Sequence, residues 1–290
     1  MHQPQEQAET PPLDSASGDL ELEEPQAARV GRRWCKWGLT PSLRGGLYSS
    51  GAMRLERVAF RYRRRDPWVL QDVTVSLPPG SVTEVTGHNG AGKSTLLRVM
   101  AGLRRPRAGV VEGRPARVGY APERFPVDQP FSVRAYLGHM AAMRRVPAST
   151  GEVWAERLAF DHLLDVRLSE LSKGSAQKIG LAQALMADPE LLVLDEPFAG
   201  LDAATRDSLP ELISELASRG STVVVSDHQR CIEAMPGVDR LNVANGSVTP
   251  LGPGDSSPWT VLEVEVPGDE ADTVETKLRA DGYRVRRRQE

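Results

Sequence analysis

Apolar and polar residues alternate along two early stretches, Arg54-Leu55-Glu56-Arg57-Val58-Ala59-Phe60-Arg61-Tyr62 and Val69-Leu70-Gln71-Asp72-Val73-Thr74-Val75-Ser76-Leu77, as they do in half-buried strands. Pro78-Pro79-Gly80 turns the chain into a third strand, Ser81 to Thr86. There Glu84, with Thr83 and Thr86, occupies positions that a central parallel strand fills with apolar side chains. A helix starts at Ser94-Thr95-Leu96-Leu97-Arg98-Val99-Met100; Pro106, Gly109 and Gly113 then break a β-type segment, and Arg117 to Glu123 reads as a strand entering a loop. Residues 124 to 171 read as helical, with apolar residues at helical spacing in Ser132 to Met140 and Gly151 to Phe160. The runs ending at Leu194 and at Ser226 read as buried strands, and Pro210 is expected to bend or start the helix between them. Leu241 to Thr249 is a hairpin with an Asn245-Gly246 turn, and Pro250 to Pro258 reads as a linker. The tail predicts a strand (Trp259 to Val266), a helix (Glu270 to Ala280) and a strand (Tyr283 to Arg288).

Between the third strand and the helix after it stands Gly87-His88-Asn89-Gly90-Ala91-Gly92-Lys93-Ser94-Thr95, which fits G-x-x-x-x-G-K-[ST]. Its glycines let the backbone bend tightly and bring successive N–H groups onto phosphates, which side chains there would obstruct. Lys93 supplies a point charge for the β- and γ-phosphates, the Ser94 hydroxyl suits Mg²⁺, and the helix N-terminus favours anions. We read residues 87–95 as the place where the chain holds ATP. Downstream, Leu191-Leu192-Val193-Leu194-Asp195-Glu196 delivers two carboxylates at the end of an apolar strand, where adjacent acids are costly unless they bind something. Asp195 is expected to bind Mg²⁺, and Glu196 to orient or deprotonate the attacking water.

Further landmarks follow in order. Leu171-Ser172-Lys173-Gly174-Ser175 opens a helix before the acids; Ala199-Gly200-Leu201-Asp202 and Val223-Val224-Val225-Ser226-Asp227-His228 come after them. From about Met53 to about Leu251 the chain resembles the ATP-binding subunits of ABC transporters. The resemblance implies an α/β fold, a P-loop NTPase core with a mainly parallel sheet. An antiparallel β subdomain precedes the core, a helical subdomain over about 124–188 carries the signature, and a small β-α-β appendage ends the chain. It also implies a dimer in which each ATP lies between Lys93, Ser94, Asp195, Glu196 and His228 of one subunit and Ser172 and Gly174 of the other. Tyr62 is then expected to stack on adenine, His228 to meet the γ-phosphate, Asp202 to line the dimer seam, and Glu123 to reach toward Mg²⁺ and signal to a membrane partner.

Lys173, Ser175, Glu123 and Ala199 stand where the family usually has Gly, Gln, Gln and Ser. The Leu-Ser-Lys-Gly form and Glu123 are similar to exporter ATPases with separate membrane chains. The expectation is therefore an exporter subunit, a homodimer or a heterodimer with a similar ATPase subunit, that drives a separate transmembrane permease from the cytoplasmic face of the membrane. The alternative is a soluble ABC ATPase acting in translation, DNA repair or protein assembly. Those commonly carry two ATP modules or a long coiled-coil insertion, and this sequence has neither. A GTPase switch is disfavoured, since no Asn-Lys guanine-reading motif occurs in the chain.

At 290 residues, 40% of them hydrophobic, the chain is long enough for a full core and one or two domains. No run approaches the length of a membrane span, and the N-terminus lacks the basic start and apolar core of a signal peptide. Two cysteines, Cys35 and Cys231, suit a reducing compartment. A net charge of −3 does not suggest a general nucleic-acid binder. Residues 1–28 hold seven acidic residues and no Lys or Arg, and are expected to be disordered. From Arg29 to Arg65 the sign reverses, with Trp34 and Trp37 among the basic residues; such a patch suits lipid headgroups or nucleic acid, but the favoured reading is a solvated linker or residues upstream of a native start at Met53. The division expected is an extension over 1–52, the ATPase domain over 53–251 and a linker with the appendage over 252–290.

Overall fold

The computed structural model describes residues 51–251, 266, 268, 270–280 and 285, all within a compact unit spanning Gly46–Glu290. The readings of residues 1–50, and of the two tail strands but for Val266 and Val285, fall outside the described residues. Strands β1 (Met53–Phe60), β2 (Leu70–Leu77) and β4 (Ala108–Glu112) make an antiparallel sheet in the order β2-β1-β4. The second sheet is built from β3 (Val82–Thr86), β5 (Val118–Ala121), β6 (Leu191–Asp195), β7 (Thr222–Ser226), β8 (Val238–Ala244) and β9 (Ser247–Leu251). Its order is β5-β6-β7-β3-β8-β9, parallel except for the closing β8–β9 hairpin. The helices are α1 (Lys93–Met100), α2 (Val133–Arg144), α3 (Ser149–Arg157), α4 (Lys173–Leu185), α5 (Ala203–Ser218) and α6 (Ala271–Ala280).

Every residue of β6 and β7 is buried, because the large sheet is covered on both faces. Leu191, Val193 and Val224 pack with the small sheet and α1, while Leu192, Leu194, Val223 and Val225 pack with the helices from α2 to α5. The period-two alternation fixes where the strand-end acid goes. Asp195 continues the face of Leu191 and Val193, so it is delivered beneath α1, which carries Ser94.

Two readings change and two gain detail. Residues 124–132 are not helical, and past α3 the chain makes short 3₁₀ turns at Asp161–Leu163 and Leu168–Glu170. Pro126 and Pro130 disfavour helical backbone at the residues before them, and α2 begins only where the Ser132 hydroxyl accepts the Ala135 N–H. Of the two outcomes expected at Pro210, starting the helix is excluded, since α5 runs through it. Asp202 caps that helix well upstream, and buried Leu209, Leu212, Ile213 and Leu216 hold it past the missing N–H. Pro250 lies in β9, opposite Leu241, rather than in a linker; β9 is an edge strand, where a missing donor is tolerated. Finally, Glu84 has a partner from β8: Arg240 Nε donates to its carboxylate at 2.9 Å. The Asn245-Gly246 turn is as read, with both residues at positive φ.

Candidate functional site

The phosphate loop leaves β3 and enters α1. Gly87 has φ 140°, and a Cβ there would lie 2.3 Å from the Val243 carbonyl oxygen, so this position excludes any side chain. A Cβ at Gly90 would meet nothing within 4 Å, leaving that part of the loop open to a ligand. Lys93 is buried, and its Nζ donates to the carbonyls of Gly87 at 2.8 Å and His88 at 3.2 Å. Burial lowers its pKa below the ordinary lysine value, while the charges of Glu196, Asp195 and Glu123 oppose that shift. His88 Nδ1 lies 2.8 Å from the Asn89 carbonyl oxygen, and the Ala91 N–H closes the turn onto the His88 carbonyl. Glu123 itself is exposed, just past β5.

Asp195 is fully buried. Burial pushes its carboxyl pKa above the usual range, and hydrogen bonds from Ser94 and Ser226 pull it back. Oδ1 accepts from Ser94 Oγ at 3.0 Å and from Ser226 Oγ at 3.1 Å, while Oδ2 accepts from the Tyr120 hydroxyl at 3.3 Å. Burial first, and the charge of Asp195 second, push the phenol up to about 12, so it remains a proton donor. The Arg98 guanidinium acts on the same phenol by pulling its pKa down. Glu196 departs from the strand with φ 52°, a left-handed conformation that a non-glycine residue adopts at some cost. Its N–H is caught by Ser226 Oγ at 3.0 Å. The turn brings its carboxylate to His228: Oε2 accepts the His228 backbone N–H at 3.2 Å, and Oε1 lies 3.0 Å from Nε2 without hydrogen-bond alignment.

Mg²⁺ takes oxygen ligands, usually one or two carboxylates with substrate phosphates, rather than an all-protein cage. The adjacent Ser94 hydroxyl and Asp195 carboxylate fit that mode, and no three-residue cluster of His, Cys, Asp and Glu able to hold a metal occurs among the described residues. Tyr62 lies just past β1, 43% exposed, edge-on to Phe60 at 5.1 Å. Its hydroxyl is 2.9 Å from Thr95 Oγ1, which ties the ring, with the Arg104 guanidinium 5.9 Å from its centroid, to the end of the phosphate loop.

Ser172, Gly174 and Asp202 form a second grouping. The Ser172 hydroxyl caps α4, accepting the Ser175 N–H at 3.1 Å. A Cβ on Gly174 would lie 2.2 Å from the Gly200 carbonyl oxygen, so this helix start is pressed against the loop that carries Asp202. Asp202 accepts the Thr205 N–H at 2.9 Å and pairs with Lys178 Nζ at 2.6 Å. These contacts, Lys178 foremost, hold its carboxyl well below the usual range. Sequence reasoning missed Ser226, Tyr120 and Arg98. Only Ser226, a polar residue closing an apolar strand, carried a signal.

A family model described as ABC transporter matches residues 70–199. The chain is 37% identical over 215 residues to the zinc import ATP-binding protein ZnuC of Halorhodospira halophila, covering 73% of this chain and 79% of the relative. The chain belongs to the ABC transporter family. It is an ATP-binding subunit, and its activity is ATP hydrolysis. The zinc transport system ATP-binding protein TroB of Treponema pallidum is 36% identical over 220 residues, covering 68% of this chain and 82% of that one. Among solved structures, a dimeric ATP-binding cassette in a post-hydrolysis state with ADP and phosphate superposes with a TM-score of 0.60 over 68% of this chain and 96% of that one, a likeness of fold at 20% identity. The expected export direction receives no support from these relatives of the ABC ATPase, which are named for zinc import and zinc transport. No helix among its described residues is long and apolar enough to cross a membrane.

Proposed function

We propose that this ABC ATPase hydrolyses Mg²⁺·ATP between two subunits and thereby drives a separate transmembrane permease, with uptake of a divalent transition metal as the leading candidate process. The observation that carries the hydrolytic part is the contact of Glu196 with His228 beside Asp195 and Ser94. The loop N–H groups receive the phosphates, and the Lys93 ammonium leaves the Gly87 and His88 carbonyls for the β- and γ-phosphate oxygens. Tyr62 stacks on adenine, and Gly87 to Thr95 form the cradle. Ser94 and Asp195 hold Mg²⁺, which supplies positive charge to the phosphate oxygens when bound. Glu196 accepts a proton from the attacking water as general base, and His228 orients that carboxylate and meets the γ-phosphate. Ser172 and Gly174 close on the nucleotide of the opposing subunit, Asp202 lines the seam, and Glu123 carries the nucleotide state toward the permease. Pairing of subunits draws support from the dimeric state of the superposed cassette.

The cargo and direction rest on the relatives' names alone, because an ATPase of this kind meets its permease and not the cargo. Attachment to the cytoplasmic face of the membrane follows from the permease. Purification from solubilised membranes, with identification of co-purifying multi-span chains, tests the partner; radioactive zinc accumulation in cells lacking the chain tests the cargo. A multi-span partner and reduced zinc uptake support the proposal. Undiminished or increased zinc accumulation overturns the import reading, and absence of a membrane partner favours the soluble alternative.

A further inference from the structure

We infer that Tyr120 is a positioning residue for the Mg²⁺·ATP site, fixing the orientation of the Asp195 carboxylate. The inference rests on the reading of Asp195 as a Mg²⁺ ligand. Oδ1 of Asp195 is held by Ser94 and Ser226, whereas Oδ2 is held by Tyr120. A carboxylate held through one oxygen is free to swing about its Cβ–Cγ bond, and a donor on the second oxygen blocks that rotation. Ser94 is itself proposed as a ligand, so a cation competes with its bond to Asp195. The Ser226 and Tyr120 bonds are then what keeps the carboxylate aimed.

The fold places these groups by register. Tyr120 on β5 pairs with Val193 on β6, one alternation before Asp195 on the same face. Ser226 on β7 pairs with Asp195 directly. The Tyr120–Asp195 and Asp195–Ser94 bonds thus join β5, β6 and α1 around the acid.

The test uses Tyr120→Phe, which removes only the hydroxyl, with Mn²⁺ as the spectroscopically visible cation and a non-hydrolysable ATP analogue. Mn²⁺ affinity is read by electron paramagnetic resonance, nucleotide binding is read separately in EDTA, and a thermal melt reports folding. Tyr120→Phe is expected to weaken Mn²⁺ binding about tenfold, as loss of a hydrogen bond behind a ligating carboxylate does, with metal-free nucleotide binding within about twofold of wild type. Mn²⁺ affinity unchanged in Tyr120→Phe overturns the inference, and so does an equal loss of metal-free nucleotide binding, which marks a packing role. Asp195→Asn separates the two levels: if it keeps full Mn²⁺ affinity, the ligand reading fails and the inference with it; if it loses affinity while Tyr120→Phe does not, only the inference fails.

Discussion

Replacing Arg240 with Met should destabilise the ATPase domain by about 3 kcal/mol, the lower end of what breaking a buried ion pair costs. The Glu84 side chain is 4% exposed and that of Arg240 22%, so the guanidinium keeps some water and the upper end does not apply. Arg240 Nε donates to Glu84 at 2.9 Å, and a terminal nitrogen donates to the Glu233 carbonyl at 3.2 Å. Without these the carboxylate on β3, the strand that feeds the phosphate loop, is left buried and unpaired. For a domain of this size the loss corresponds to a melting temperature lower by about 6–12 °C. Burial already raises the Glu84 pKa above the ordinary value, with Arg240 pulling it back. The folded state therefore binds that proton more tightly than the unfolded chain: ionised Glu84 costs stability above its raised pKa, and the cost vanishes below the ordinary carboxylate range. The deficit of Arg240→Met should thus be largest near neutral pH and shrink as pH falls through the carboxylate range. Scanning calorimetry across that range reads both quantities, and the double variant Glu84→Leu/Arg240→Met should return to within about 1 kcal/mol of wild type. A single variant melting within about 2 °C of wild type, or a double variant as unstable as the single, would refute the argument.

Gly87→Ala should lower ATP affinity at least tenfold in a fluorescent-nucleotide titration (about 1.4 kcal/mol), since its Cβ would lie 2.3 Å from the Val243 carbonyl oxygen and neither atom can yield without moving backbone. Gly174→Ala should depress steady-state hydrolysis while sparing ATP binding, because the clash with Gly200 displaces the start of α4 and not the phosphate loop; a matching loss of binding would show that the two regions are not separate. Tyr62→Ala should weaken ATP binding by about 1 kcal/mol or more, roughly fivefold, from lost stacking on adenine, and isothermal calorimetry with ATP against a triphosphate lacking the base tells stacking from a general effect.

Much of the site was legible because its chemistry is local. The phosphate loop needs glycines at fixed spacing before a Lys and a hydroxyl, and the two acids stand out because they end an apolar strand. What was not legible depends on register between distant segments. Nothing near Glu84 in the sequence names Arg240, and the pair exists because β3 and β8 are parallel neighbours with these two residues opposite each other. Tyr120 likewise reaches Asp195 only through the pairing of β5 with β6. The helical reading of residues 124–132 failed because apolar spacing was weighed over the two prolines. Pro210 does not start its helix, because Asp202 caps α5 upstream and a buried face holds it.

Glu196→Gln tests the central claim most directly. The substitution keeps the length of the side chain and one acceptor oxygen, and removes its charge and its ability to take a proton, while the side chains of Lys93, Ser94 and Asp195 remain. Equilibrium ATP binding and steady-state phosphate release should be measured on the same preparation of the full chain. The account predicts affinity within about threefold of wild type and turnover reduced by at least a hundredfold, the scale of a lost general base, with the variant accumulating as an ATP-bound dimer. Near wild-type turnover would contradict it, because some other group would then be activating the water.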